Sequence, residues 1–107
     1  VEEVQKMIIK PQDFEGIRDA YAVVCPNDCM CPRCRVGDIL YIDPNHVVKP
    51  GDLVIVAQKD SDLRDIVQLV EKHGDHWTFE RLNPAETLDI SIENLDSVHP
   101  VRAIKYV

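Results

Sequence analysis

The β-prone stretches of this chain are repeatedly cut short by turn signals, and that punctuation limits the fold more than any other feature. Ala20–Cys25 runs into Pro26-Asn27-Asp28, the short apolar run Asp38–Asp43 closes on Asp43-Pro44-Asn45, and Pro50-Gly51 opens Asp52–Gln58. Each cluster ends a strand for a physical reason. Proline fixes φ and lacks a donor, glycine tolerates positive φ, and Asn or Asp side chains bond their own backbone. Further on, Ile66–Val70 and Trp77–Leu82 flank a hairpin turn at His73-Gly74-Asp75, and Asn83-Pro84 stops the second of them. Leu88–Ile92 alternates apolar and polar residues, and Val98–Val107 supplies a last strand whose Pro100 places its start at a sheet edge. Short strands at this spacing, with little helical periodicity, predict a mostly-β domain of largely antiparallel strands.

Residues 1–19 are polar and mixed. Val4, Met7 and Ile8 have helical spacing until Pro11, and a short turn or helix around Asp13–Arg18 follows. This segment reads as an extension or linker end, with one domain over residues 20–107. A chain of 107 residues that is 45% hydrophobic and 29% charged can bury a modest core. No apolar run reaches the length of a membrane span and no charged-then-apolar leader precedes the domain, so no membrane association and a cytoplasmic location are expected. Because the first residue is Val1, the chain reads as part of a longer protein. Its net charge of −7 argues against direct contact with nucleic acid, which requires a basic face.

All four cysteines lie between Cys25 and Cys34, at Cys25, Cys29, Cys31 and Cys34. Cys25 ends a β-run and is expected to be a buried, inert thiol. Cys31-Pro32-Arg33-Cys34 has the Cys-Pro-x-Cys spacing of zinc knuckles and iron-sulfur loops, which lets both sulfurs face one ion. No second Cys-x-x-Cys completes a four-ligand set, although His46 could join one. The expectation is therefore no resident metal or cofactor. The alternative is a cytosolic metal or redox sensor that uses the Cys25–Cys34 cluster for zinc, an iron-sulfur centre or thiol chemistry. His46, His73 and His76 are expected to be solvated, Asp38 and Asp52 to cap turns, and the acidic run Asp60–Asp65 to be a solvated loop. Trp77 and Phe79 alternate with polar residues and belong to one sheet face.

Tyr21 to Pro84 resembles the C-terminal peptidase domain of LexA and phage repressors and, more distantly, signal peptidase. The pieces are Ala22-Val23-Val24, Asp28-Cys29-Met30-Cys31-Pro32, Gly37-Asp38, Asp43-Pro44, Pro50-Gly51-Asp52, Ile66-Val67-Gln68-Leu69 and Asn83-Pro84, in the family's order. The resemblance implies a β-ribbon fold like that of LexA and signal peptidase. It also implies a serine nucleophile and a lysine base, and here this chain departs from the pattern. Cys29 stands at the nucleophile position and Val67 at the lysine position; a shift of one residue puts Gln68 there instead. Neither Val67 nor Gln68 can take a proton, whereas a serine-lysine dyad depends on a neutral lysine that does.

What the resemblance implies is thus a degenerate peptidase domain serving as the C-terminal self-association domain of a transcriptional regulator. It would pair with itself as a homodimer through strands near Val98–Val107, and DNA would be bound by an N-terminal helix-turn-helix outside this chain. A surviving cysteine-type autopeptidase is the third reading, since a thiol is more nucleophilic than a hydroxyl.

Overall fold

The computed structural model describes the backbone of Lys6–Met7 and residues 19–107. The turn or helix expected at Asp13–Arg18, together with Val4 and Ile8, lies outside the described residues. Met7, expected in a helical pattern, is instead in a strand, β1 (Lys6–Met7). The strands that follow are β2 (Tyr21–Val24), β3 (Ile39–Ile42), β4 (Leu53–Gln58), β5 (Arg64–Lys72), β6 (His76–Leu82), β7 (Ala85–Ser91) and β8 (Leu95–Lys105). They form one antiparallel sheet in the order β1-β2-β3-β8-β4-β5-β6-β7. The mostly-β architecture expected from the turn signals is the one observed.

The run Leu53-Val54-Ile55-Val56-Ala57 is buried along its whole length because β4 is covered on both faces. Leu53 and Ile55 pack with Ile66, Leu40 and Ile42 in one apolar cluster. Val54 and Val56 point the other way, to Val67, Leu69 and Phe79 in a second. A strand covered on both sides reads as continuous rather than alternating hydrophobicity. Phe79 is fully buried in the second cluster and Trp77 packs against it, as the alternation in β6 predicts.

The placement of the last strand differs from expectation. β8 is not an edge strand. Its first half pairs with β4, from Gln58↔Leu95 to Val54↔Pro100, and its second half with β3, from Ile42↔Val101 to Ile39↔Lys105. Pro100 lies where the strand passes from one partner to the other. Its missing N–H falls at a break in the ladder, while its carbonyl accepts the N–H of Asp43 at 3.4 Å. A proline tolerated at a change of partner looks, in sequence, like a proline at an edge.

Several boundaries also move, among them those of β8, which runs over Leu95–Lys105 rather than Val98–Val107. β7 begins at Ala85 rather than Leu88, because Asn83-Pro84 occupies only a two-residue turn and Leu82 already faces Ala85. β7 ends at Ser91, and Ile92–Asn94 forms a 3-10 turn leading into β8. The hairpin at His73-Gly74-Asp75 is closed by the His73 N–H on the His76 carbonyl at 2.9 Å. His73 and His76 stack there with ring centroids 4.3 Å apart. Of the acidic run, Asp65 is not simply solvated: it forms an ion pair with Arg81, whose guanidinium also reaches Glu86.

Candidate functional site

The segment that carries the cysteines is a closed loop between β2 and β3. The Cys25 N–H donates to the Asp38 carbonyl at 2.8 Å and the Gly37 N–H to the Cys25 carbonyl at 3.0 Å, so both ends of the loop are tied together. Gly37 has φ +93°, a conformation that L side chains rarely adopt. Inside the loop, Arg33 and Cys34 donate to the Met30 carbonyl, and Cys31 to that of Asp28, winding one tight turn. Met30 and Cys34 are buried against the first apolar cluster and anchor the turn.

Asp38 holds this loop to the end of the chain. One carboxylate oxygen accepts the Val107 N–H at 3.1 Å and the other the Arg35 N–H at 2.9 Å. These two bonds favour the ionised form and hold the Asp38 carboxyl below the usual carboxylate range. A depressed folded-state pKa means a contribution to stability that is complete above the unfolded value, about 3.9, and that is lost as pH falls through the folded value. Asp38→Asn is therefore expected to destabilise the protein at neutral pH, with the difference from wild type shrinking below about pH 4. Chemical denaturation at a series of pH values checks this; a pH-independent difference would show that the carboxylate charge plays no part. The turn-capping expected of Asp38 is thus present. Asp52 caps as well, accepting the Lys49 N–H at 2.8 Å.

Cys29 does not end a strand. β2 stops at Val24, and Cys29 sits half-buried in the turn beyond it. Its N–H donates to the Asn27 side-chain oxygen at 3.0 Å. Its carbonyl accepts two donors from the β6–β7 hairpin, the N–H groups of Leu82 at 3.0 Å and Asn83 at 2.8 Å. The Asn83 side chain adds a bond to the Asp28 carbonyl at 3.3 Å. The Asn83-Pro84 turn therefore buttresses the Cys29 segment, a role that its sequence position alone does not reveal.

Val67 and Gln68, the two candidates for the lysine position, are separated by the pleat of β5. Val67 faces the second cluster, packed with Val54 and Phe79, on the side of the sheet away from the cysteine loop. Gln68 pairs with Leu53 and Glu80 and faces the loop. Its amide oxygen accepts from Arg33 at 2.6 Å and its amide nitrogen donates to Glu80 at 2.7 Å. Arg33 also donates to the Gly51 carbonyl at 2.9 Å. The register position facing the loop is thus filled by an amide fixed between a cation and an anion. An amide held this way is a poor proton acceptor.

The four cysteines, all free, do not converge on one point. Cys25 and Cys34 are buried, with their sulfurs 3.5 Å apart, while Cys29 and Cys31 are half-buried. The sulfur in contact with Cys34 is that of Cys25, rather than its Cys-Pro-x-Cys neighbour Cys31. The Cys25 thiol donates to the Asn27 carbonyl at 3.1 Å, which leaves Cys34 to donate to Cys25. That bond, together with burial, pushes the Cys34 thiol well above the usual range. Among the described residues no group of three or more His, Cys, Asp or Glu side chains is arranged to hold a metal.

A cavity of about 290 Å³ lies beside the loop, lined by Arg33, Leu53, Tyr106 and the Val101–Ile104 stretch of β8. Cys29 is not in its lining. Among the described residues no helix is long and apolar enough to cross a membrane.

Comparison with known proteins agrees with the residue pattern. A family model described as Peptidase S24-like matches residues 1–102. Among curated proteins, the repressor protein C of Rhizobium phage 16-3 is 24% identical over 98 residues, which is 85% of this chain but only 37% of that protein. No solved structure matches significantly.

Proposed function

Because the chain belongs to the Peptidase S24-like family, we propose that it is the C-terminal self-association domain of a phage-repressor-like transcriptional regulator and has no peptidase activity. The observation that carries the loss of activity is the state of the lysine register. Gln68 is engaged by Arg33 and Glu80, and Val67 is buried on the opposite face. The similarity to a phage repressor supports the regulatory role. DNA would be bound by a domain outside this chain, in keeping with the charge of −7. No resident metal or cofactor is part of this reading, and the protein would work in the cytoplasm.

With β8 inside the sheet, self-association does not use an unpaired β8 edge. The surface that supports it is the apolar group at the loop end of the molecule, where Val36 is 58% exposed, Tyr106 66% and Val107 89%. These residues are neighbours: Val107 and Arg35 share the Asp38 carboxylate, and the Tyr106 hydroxyl donates to the Arg33 carbonyl at 3.3 Å. Exposed apolar groups clustered in this way favour burial against a partner, and a second copy of the chain forms a closed isologous pair. Sedimentation at micromolar concentration is expected to give a dimer, and Tyr106→Glu a monomer with an unchanged circular dichroism spectrum. A wild-type monomer under these conditions would sink the association role.

A further inference from the structure

Cys25 and Cys34 have no part in the proposed regulator reading, yet they are brought together more closely than spacing suggests. Cys25 opens the β2–β3 loop and Cys34 lies inside it, beyond the turn that presents Cys29 and Arg33, with the two sulfurs 3.5 Å apart. Both are free and both are walled in by the first apolar cluster. We propose that Cys25 and Cys34 form a dithiol–disulfide pair, oxidised by hydrogen peroxide, that ties the inner turn of the β2–β3 loop to the end of β2. A disulfide needs sulfurs about 2.05 Å apart, so the pair closes by side-chain rotation and a small shift of the loop.

Cys25 is the attacking thiol, because the proton donated by Cys34 stabilises its thiolate. The thiolate attacks one peroxide oxygen, the O–O bond breaks, and a sulfenic acid forms as the first water leaves. The Cys34 sulfur then attacks the Cys25 sulfur, forming the S–S bond and releasing the sulfenic oxygen as a second water. Two thiols lose two electrons and two protons in all, and the peroxide is reduced. Burial makes the first step slow, because the oxidant must reach a covered sulfur. The proposal does not depend on the regulator reading.

The test uses the full chain, reduced and then exposed to hydrogen peroxide, beside a Cys29→Ser/Cys31→Ser variant that keeps only the buried pair. In the variant the expected result is a mass lower by two hydrogens, with both thiols lost to labelling in denaturant and restored by dithiothreitol. The thermal midpoint should rise by several degrees, because the cross-link restricts the unfolded chain. In the wild type, trypsin should release Cys34–Arg35 joined to the 19–33 peptide through Cys25. Fragment ions that place the bond on Cys25 rather than on Cys29 or Cys31 of that peptide decide the matter even if the variant folds poorly. Thiols that stay free, sulfurs that only gain oxygen, or a map joining Cys34 to Cys29 or Cys31 would overturn the proposal.

Discussion

Phe79→Ala is expected to lower the free energy of unfolding by about 3–5 kcal/mol, the range for deleting a fully buried aromatic ring. Phe79 is 0% exposed and stands in the second apolar cluster with Val54, Val67 and Leu69. These neighbours come from the central strands β4 and β5, which cannot close over the gap without breaking their ladders. A domain of this size has about 5–15 kcal/mol to lose, so the substitution removes roughly a fifth of the total or more. Thr78→Ala, one residue away, is the control. Its hydroxyl donates to Asp89 at 2.6 Å on an exposed face, and its loss should cost about 1 kcal/mol or less. Urea denaturation of both variants separates the cases; equal midpoints would mean that the second cluster does not stabilise the sheet as described.

The second large effect is a missing rate. In a nucleophile–base pair the two groups act as a unit, and removing either one costs roughly six orders of magnitude. On the proposed reading this chain has kept a nucleophile in Cys29 and lost the base. The residue facing the loop at the lysine register is Gln68, its amide oriented by Arg33 on one side and Glu80 on the other. A thiol attacks as its thiolate, so alkaline pH gives Cys29 its best chance of acting without help. Self-cleavage is expected to be undetectable even there.

The strands were legible in the sequence because their stops are local chemistry. Pro26-Asn27-Asp28, Pro50-Gly51 and Asn83-Pro84 end or begin strands through φ restriction and side-chain bonding, and these effects act within a few residues. Pairing order is not local. Nothing within Leu95–Lys105 reveals that it lies between β3 and β4, and Pro100 points toward an edge because a break in a ladder and an edge make the same demand on a residue without an N–H.

The site was legible only as far as its loop. Val67 and Gln68 are adjacent, and a slip of one residue along a strand exchanges the two faces of a sheet. Choosing between them required the pairing of Gln68 with Leu53 and Glu80. One signal was available: Gln68 is the polar residue within Ile66-Val67-Gln68-Leu69-Val70, which points to a polar partner on that face. The contact of Cys34 with Cys25 left no such mark. It follows from closure of the loop by backbone bonds between Cys25, Gly37 and Asp38, whereas spacing favours Cys31. The pinning of Cys29 by Leu82 and Asn83 is equally long-range.

On the proposed reading, the family's peptidase chemistry is gone from a fold that persists. Intact-mass spectrometry of the protein after prolonged incubation at alkaline pH tests it most directly, with Cys29→Ala carried alongside. One unchanged mass is expected for both proteins. A discrete pair of fragments from the wild type, adding up to the whole and absent from Cys29→Ala, would contradict it.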